Sequence, residues 1–383
     1  MLTLRFVLRN LARHPLRNAL TVLGIAVSIM AFGLLRTTVE AWYVGVSASA
    51  ANRLVTRNAI SLVFPLPMAY AGKIRAVEGV THLSWGNWFG AYYVDEKNLF
   101  ANFTVDVRSY LDLYPEYVIP DDQKAALLRD RKGMAVGDRL ARRFGWKLGD
   151  TVPLKGTIYP GDWSVTVRAI YTGRYPNTDE TQAFFHWAYV NERMKTENPG
   201  RADHVGFYLV GVDRPENAAR VANDVDARFR NSLAETLTET EQAFQMGFIS
   251  MTEAIIVAIR LVSGIVIVII MAVAANTMAM SARERMGEFA TLKALGFGGG
   301  YVALLVAGEA MALSLLGGLA GCALSVPVTR VIAHVLGDYF PVFLLSRETL
   351  ALQGAAAAVV GLVAGAAPAL RARRVRIADV LGR

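Results

Sequence analysis

The chain has 383 residues, of which 54% are hydrophobic and 19% charged, with a net charge of +8 and a single cysteine. Soluble domains average about 45–50% apolar and about 25% charged residues, and here the apolar excess lies in four blocks, Ala19–Leu35, Leu261–Met280, Tyr301–Val328 and Leu350–Leu370. Blocks of that kind around one long hydrophilic stretch exclude a single globular core and a disordered chain, while the lone Cys322 excludes an intramolecular disulfide and a CxxC metal site.

The opening LTLRFVLRNLARHP places Leu4, Val7, Leu8 and Leu11 on one helical face and Arg5, Arg9 and Arg13 on another. That pattern predicts an amphipathic helix over residues 1–15 lying on the inner membrane surface, with Pro15 turning the chain into a first span over 16–45. A cleavable signal peptide competes for the same residues. The apolar run is long, and no small-x-small site follows it before Arg36 and Glu40.

Residues 46–250 read as a mixed α/β domain. Residues 47–250 hold 24 basic and 24 acidic side chains. Ser164–Gly173 and His204–Asp213 alternate as strands do, and a helix is expected over Met134–Phe144. A second amphipathic helix follows Pro215, with Ala219, Val221, Val225 and Phe229 as core positions. The aromatic cluster WGNWFGAYY (Trp85, Trp88, Phe89, Tyr92 and Tyr93) is either a buried strand pair or a contact surface for an apolar or amphipathic ligand. His82, His186 and His204 lack HExxH spacing, and neither GxSxG nor GxxxxGK[ST] occurs, so no catalytic residue, metal ligand or P-loop is assigned.

Three further spans follow, over 251–280, 301–328 and 349–370, joined by a loop at 281–300 and a short external loop at 329–348, with a basic tail at 371–383. A bilayer core needs roughly 20 apolar helical residues. The first 18 residues carry a net +4, the tail from Arg371 another +4 and residues 281–300 a net +1. The positive-inside rule therefore puts both termini and the 281–300 loop in the cytoplasm and the 46–250 domain outside. Arginines beside spans are accounted for by topology and anionic lipid, not by nucleic acid.

Two charges lie within apolar blocks. At about 1.5 Å per residue Glu309 sits roughly 14 Å above the inner face and Arg260 far higher, which rules out a bond between them. Arg260 is expected to snorkel to the outer surface, and Glu309 to lie level with Ser28. An acid in a span is either a functional site or a protonated carboxyl bonded to a neighbouring hydroxyl.

The loop SARERMGEFATLKALGFGGG gives a short amphipathic helix: Ser281 as cap, Glu284 and Glu288 early, Lys293 late, an apolar stripe of Phe289, Leu292 and Leu295, and Gly296 with the glycines at 298–300 as stop. It is either a lever that passes force from a cytoplasmic partner or a charged loop on headgroups. The run RERMGEFATLKALG closely resembles the signature of FtsX-like, MacB-type ABC transporter permeases. The tail APALRARRVRIADVLGR, the opening LRNLARHPLRNALTVLGIAVSI and, loosely, LARRFGWKLGDTVPL are similar to other parts of that family, while Gly298–Gly300 depart from it.

The resemblance implies an inner-membrane protein with four spans and a large periplasmic α/β domain between the first two. It also implies a second permease copy, in a homodimer or related heterodimer, and a separate P-loop ATPase that binds ATP and Mg, since this chain would bind no cofactor itself. Arg283, Glu284, Arg285, Glu288, Phe289, Leu292, Lys293, Leu295 and Gly296 would form the coupling helix on that ATPase. A periplasmic adaptor and an outer-membrane channel are further implied partners. Two roles follow: export or extraction of an amphipathic substrate, or mechanical control of a periplasmic hydrolase.

Overall fold

The computed structural model describes residues 15–250, 252–335 and 342–375; the expected interfacial helix and the tail beyond Val375 fall outside them. The chain forms two compact units. Of the described residues, one unit is helical and takes 15–41, 252–335 and 343–375; the other is α/β and takes 42–250 with Val342.

Helix α1 (Pro15–Ala48) begins at a proline, whose missing N–H costs nothing at a first helical position. The α/β unit then follows in chain order. Its first part comprises β1 (Arg53–Asn58), β2 (Leu66–Pro67), α2 (Tyr70–Arg75), β3 (Val80–Trp88), β4 (Ala91–Tyr93), β5 (Asn102–Val105), α3 (Val107–Leu113) and β6 (Tyr117–Val118). Next come α4 (Asp121–Arg129), β7 (Gly133–Gly137), α5 (Asp138–Phe144), β8 (Thr151–Gly156), β9 (Gly161–Gly173), β10 (Ala183–His186) and α6 (Trp187–Glu197). It ends with β11 (His204–Val205), β12 (Phe207–Val212), α7 (Ala218–Phe229), β13 (Thr236–Thr240) and α8 (Glu241–Ser250).

The main sheet runs β13-β1-β12-β3-β5-β10-β7-β9-β8-β4, with β6 on β9. It is mixed: β5 with β10 and β7 with β9 are parallel, the rest antiparallel. Strand β9 shows the alternation that makes it a strand, burying Trp163, Val165, Val167, Ala169 and Tyr171 at period two. Three apolar clusters fill the unit, one under β7–β9, one between β12 and α7, and one around α3 with β9 and β10.

Three local expectations are corrected. Met134–Gly137 is strand, and only Asp138–Phe144 is helix. Met134, Ala135 and Val136 are fully buried between β10 and β9, and a segment covered on both faces loses the alternation that marks a strand in sequence. On α7 the buried stripe is Ala218, Val221, Ala222, Val225 and Phe229, whereas Ala219 is exposed; the preceding 3-10 turn (Pro215–Asn217) shifts the helix start and rotates the face. The strand read over His204–Asp213 is interrupted at Gly206, whose N–H bonds the Gly86 carbonyl instead.

The helical unit continues with α9 (Glu253–Glu284), α10 (Met286–Ala294), α11 (Gly299–Val335) and α12 (Arg347–Arg374). Among the described residues four helices, those containing Pro15–Tyr43, Glu253–Glu284, Gly299–His334 and Arg347–Arg374, are long and apolar enough to cross a membrane. Small residues set their spacing. Gly317 faces Val22 and Ile25, and Gly321 faces Ala26 and Ile29, so α1 and α11 run in the same direction. Gly361 packs on Met311 and Ser314 and Gly365 on Ala310, so α12 runs against α11. Without a hydrophobic drive between helices in lipid, such close approach supplies the dispersion contacts that hold them.

One polar knot crosses this packing. The fully buried Gln353 amide donates to the Ile29 carbonyl and to Ser325 Oγ, each at 2.8 Å. Gly33 makes the room, because any Cβ there would overlap that amide. At one end of the bundle Arg36 bonds Glu348 at 2.8 Å and Thr349 donates to Glu40 at 2.7 Å.

Candidate functional site

At the opposite end lies the 281–300 segment. Helix α9 runs on through Ser281 to Glu284, so Ser281 lies inside a helix and is not its cap. The chain breaks at Arg285 and resumes as α10. Ala294 ends that helix. Gly296 adopts a left-handed φ of 93°, and the Gly296 and Phe297 N–H groups bond back to the Lys293 and Leu292 carbonyls at 3.0 and 3.1 Å. Gly299 and Gly300, expected to terminate the lever, instead begin α11.

This segment is bonded to each of the other three long apolar helices. Arg17 on α1 donates to Glu284 at 2.5 Å and to Ser281 Oγ at 3.0 Å. Arg285 donates to Glu309 on α11 at 2.6 Å and to Glu288 at 3.2 Å, with its guanidinium 5.4 Å from the Phe289 ring centre. Lys293 donates to the Arg373 and Val375 carbonyls at the end of α12, both at 2.7 Å. A lysine there satisfies orphan carbonyls and sits favourably at the negative end of the helix dipole.

Under these polar tethers is an apolar seat. Phe289 is 1% exposed and Ala290 fully buried, packed with Ala282, Val302, Val306, Ala369 and Ala372. The Gly299 position admits no side chain, because a Cβ would lie 2.8 Å from the Arg373 carbonyl oxygen. Both ends of the described helical unit, Arg17 and Arg373, therefore meet the same segment.

The nine lever residues divide by face. Arg285, Phe289, Leu292 and Lys293 turn toward the bundle; Arg283, Glu284, Glu288 and Gly296 are exposed. Leu295 was expected to continue the apolar stripe, but α10 ends one residue before it, and the side chain is 72% exposed. Beside it Phe297, a residue the sequence reading passed over, is 43% exposed and stacks on Tyr301 at 5.0 Å. Leu295 and Phe297 thus form an exposed apolar tip just past the end of α10. Its signal in the sequence was an aromatic residue set between two glycines.

Glu309 pairs with Arg285 and not with a neighbouring hydroxyl: its side chain is 13% exposed and that of Arg285 12%. It is not level with Ser28 either. Glu309 lines one cavity with Arg17, Thr21, Ser281 and Arg285, whereas the turn of α11 that faces Ala26 and Ile29 is at Gly321. Arg260 is exposed, near the other end of α9.

The aromatic cluster does not form one surface. Trp85 meets Trp187 edge-on at 6.4 Å, Phe89 is fully buried against Tyr159, Trp163 and Phe185, and Tyr93 packs on Phe144 and Trp146. Tyr92 is half-buried on β4. Trp88, 48% exposed and 4.9 Å from Phe103, presents the most open ring. Gly90, between β3 and β4, adopts a left-handed φ of 63°, and Phe89 and Tyr93 on its two sides join one core while Trp85 packs against another.

The α/β unit also holds a buried ionic group that sequence reading missed. Arg53, 4% exposed, bonds Glu241 and Glu116 at 2.8 Å each. Its guanidinium lies 4.0 Å over the Tyr114 ring. Burial alone would lower the Arg53 pKa, but the Tyr114 hydroxyl and both carboxylates hold it above its ordinary value. Among the described residues no cluster of three or more His, Cys, Asp or Glu is placed to hold a metal ion.

Residues 18–228 match the family model of the MacB-like periplasmic core domain, and residues 260–377 match that of the FtsX-like permease C-terminal region. No curated protein matches the chain in sequence. Among solved structures it is similar to the periplasmic region of MacB from Actinobacillus actinomycetemcomitans, at 7% identity and a TM-score of 0.39 over 53% of this chain and 95% of that one. It is also similar to the extracellular domain of the ABC-type transporter YknZ from Gram-positive bacteria, at 9% identity and a TM-score of 0.36 over 49% of this chain and 100% of that one.

Proposed function

This chain belongs to the FtsX-like, MacB-type family of ABC transporter permeases, and from that premise we propose that it converts ATP hydrolysis on a separate ATPase subunit into motion of its external domain. It is a multi-pass membrane protein and a permease component. The observation that carries the mechanical reading is the tethering of the 281–300 segment to α1, α11 and α12 by Arg17–Glu284, Arg285–Glu309 and Lys293–Arg373. A lever fixed at one point would swing without effect. One fixed to every other span passes a push at its tip to the bundle as a whole.

In this reading the tip residues Leu295 and Phe297, with Arg283, Glu284 and Glu288, dock on the ATPase, which supplies ATP and Mg. The lever and both ends of the helical unit face the cytoplasm, in agreement with the positive-inside bias, and the α/β unit faces the periplasm of an inner-membrane protein. A second permease copy completes the assembly. The work is spent on exporting or extracting an amphipathic substrate held outside or in the outer leaflet, with an adaptor and an outer-membrane channel as further partners.

Purification of the tagged chain from native membranes tests this reading. A P-loop ATPase is expected to accompany it, and impermeant thiol reagents are expected to label a cysteine placed at Tyr175 but not one at Thr291 in intact cells. Absence of any such ATPase, or the reverse labelling, overturns it. A copurifying hydrolase in place of an adaptor would assign the same motion to control of that enzyme.

A further inference from the structure

Resting on the permease reading, we infer that the Arg53–Glu241–Glu116–Tyr114 group is a clamp that makes the two chain segments joining the spans move as one body and carries their displacement into the sheet. The position in the chain comes first. Ala50 lies two residues past the end of α1, and Glu241 opens α8, which leads to α9. Strands β1 and β13 pair with Leu54 opposite Thr240, so one step further along the same register sets Arg53 opposite Glu241.

The bonding there is complete. Arg53 Nε donates to Glu241 at 2.8 Å and Nη1 donates to the Leu113 carbonyl at 2.9 Å, while Nη2 lies 2.8 Å from Glu116. Glu241 takes three donors in all: Arg53, the Ala50 N–H at 3.2 Å and the Tyr114 hydroxyl at 2.9 Å. Outgoing chain, returning chain and the end of α3 therefore share one guanidinium and one carboxylate. A buried ion pair is a poor source of net stability, because desolvation offsets the attraction, but it fixes geometry that apolar packing leaves loose.

The group also has an outlet. Tyr114 stacks on Tyr117 at 5.5 Å and on Tyr110 at 4.5 Å, Tyr117 meets Tyr171 of β9 at 4.7 Å, and Tyr110 meets Phe184 of β10 at 5.1 Å. These rings link the clamp to strands farther along the sheet, within the one apolar cluster that also holds Val55 of β1. A close-packed stack cannot absorb a shift by compression, so a displacement of Arg53 reaches β9 and β10.

The test uses the full chain in complex with its copurified ATPase. In a Cys322→Ala background, Arg53→Cys, Glu116→Gln and Glu241→Cys replace the ionic clamp by a bond that can be opened and closed, and leave no buried charge unpaired. Hydrogen exchange of β9 and β10 is read with and without ATP. The ATP-dependent change is expected to be lost in the reduced form and regained on oxidation, with the ATPase rate present in both. Tyr114→Phe, which removes only the hydroxyl bridge, is expected to reduce the change. A reduced form that responds as fully as the unaltered chain overturns the clamp and leaves the permease reading standing. An unaltered complex that shows no ATP-dependent change overturns that reading, and the clamp with it.

Discussion

Arg285 and Glu309 stand 24 positions apart in sequence and meet at 2.6 Å, the guanidinium at the break between α9 and α10 and the carboxylate about three turns along α11. Each neutralises what would otherwise be an isolated, largely buried charge. The break in the helix is what frees Arg285 to reach across.

Removing one partner of a mostly buried pair typically costs about 3–5 kcal/mol, because the other is left uncompensated. Arg285→Ala is therefore expected to lower the melting temperature in detergent and to weaken ATPase stimulation. Glu309→Gln, which retains a carbonyl acceptor, is expected to do less. The exchange Arg285→Glu with Glu309→Arg should recover part of the loss, and failure to recover any of it would mean the pair is not what holds the lever.

Gly33→Ala drives a methyl into the Gln353 amide. Overpacking of this kind typically costs about 1–3 kcal/mol, and relief by a second change at the contact identifies its source. Gly33→Ala with Gln353→Ala should be more stable than the sum of the single variants, as read by thermal denaturation. Simple additivity would count against the contact.

Alkaline pH acts on the external unit. Burial holds the Tyr110, Tyr114, Tyr117 and Tyr171 phenols well above the ordinary value of 10.0, and burial, only partly opposed by Arg201, pushes Tyr159 up to about 12. Below pH 10 both folded and unfolded chains keep these protons, so stability does not depend on them. Above it the unfolded chain releases them first, and stability falls by about 1.4 kcal/mol per pH unit for each such tyrosine. For Tyr159 the fall ends near about 12. The share of tyrosinate absorbance due to these buried rings is expected to appear only together with loss of circular dichroism; ionisation of all 14 tyrosines before unfolding would show that the rings are open to solvent.

How much of this could be read from sequence follows from the range of each interaction. The spans announce themselves as long apolar runs, and the lever as a charged amphipathic segment between two of them. Its tethers do not, since their partners lie 267, 24 and 80 residues away along the chain. Leu295 was misplaced for a local reason, the helix closing at Ala294 just before it. Met134–Val136 carried no alternation because the strand is covered on both faces. Gln353 was visible as a lone polar residue in an apolar block, but its meaning depends on the absence of a side chain at Gly33. Arg53 and Glu241 are inconspicuous among the 24 basic and 24 acidic residues of the neutral stretch.

The central claim is that an ATPase grips the exposed tip of the lever and not the spans themselves. Leu295→Asp with Phe297→Asp changes two outward side chains, 72% and 43% exposed, and leaves Arg285, Phe289 and Lys293 in place. Copurification of the ATPase with this variant measures the claim directly. Loss of the ATPase with the chain still inserted and its melting temperature unchanged is the predicted result; full retention of an active ATPase would contradict it.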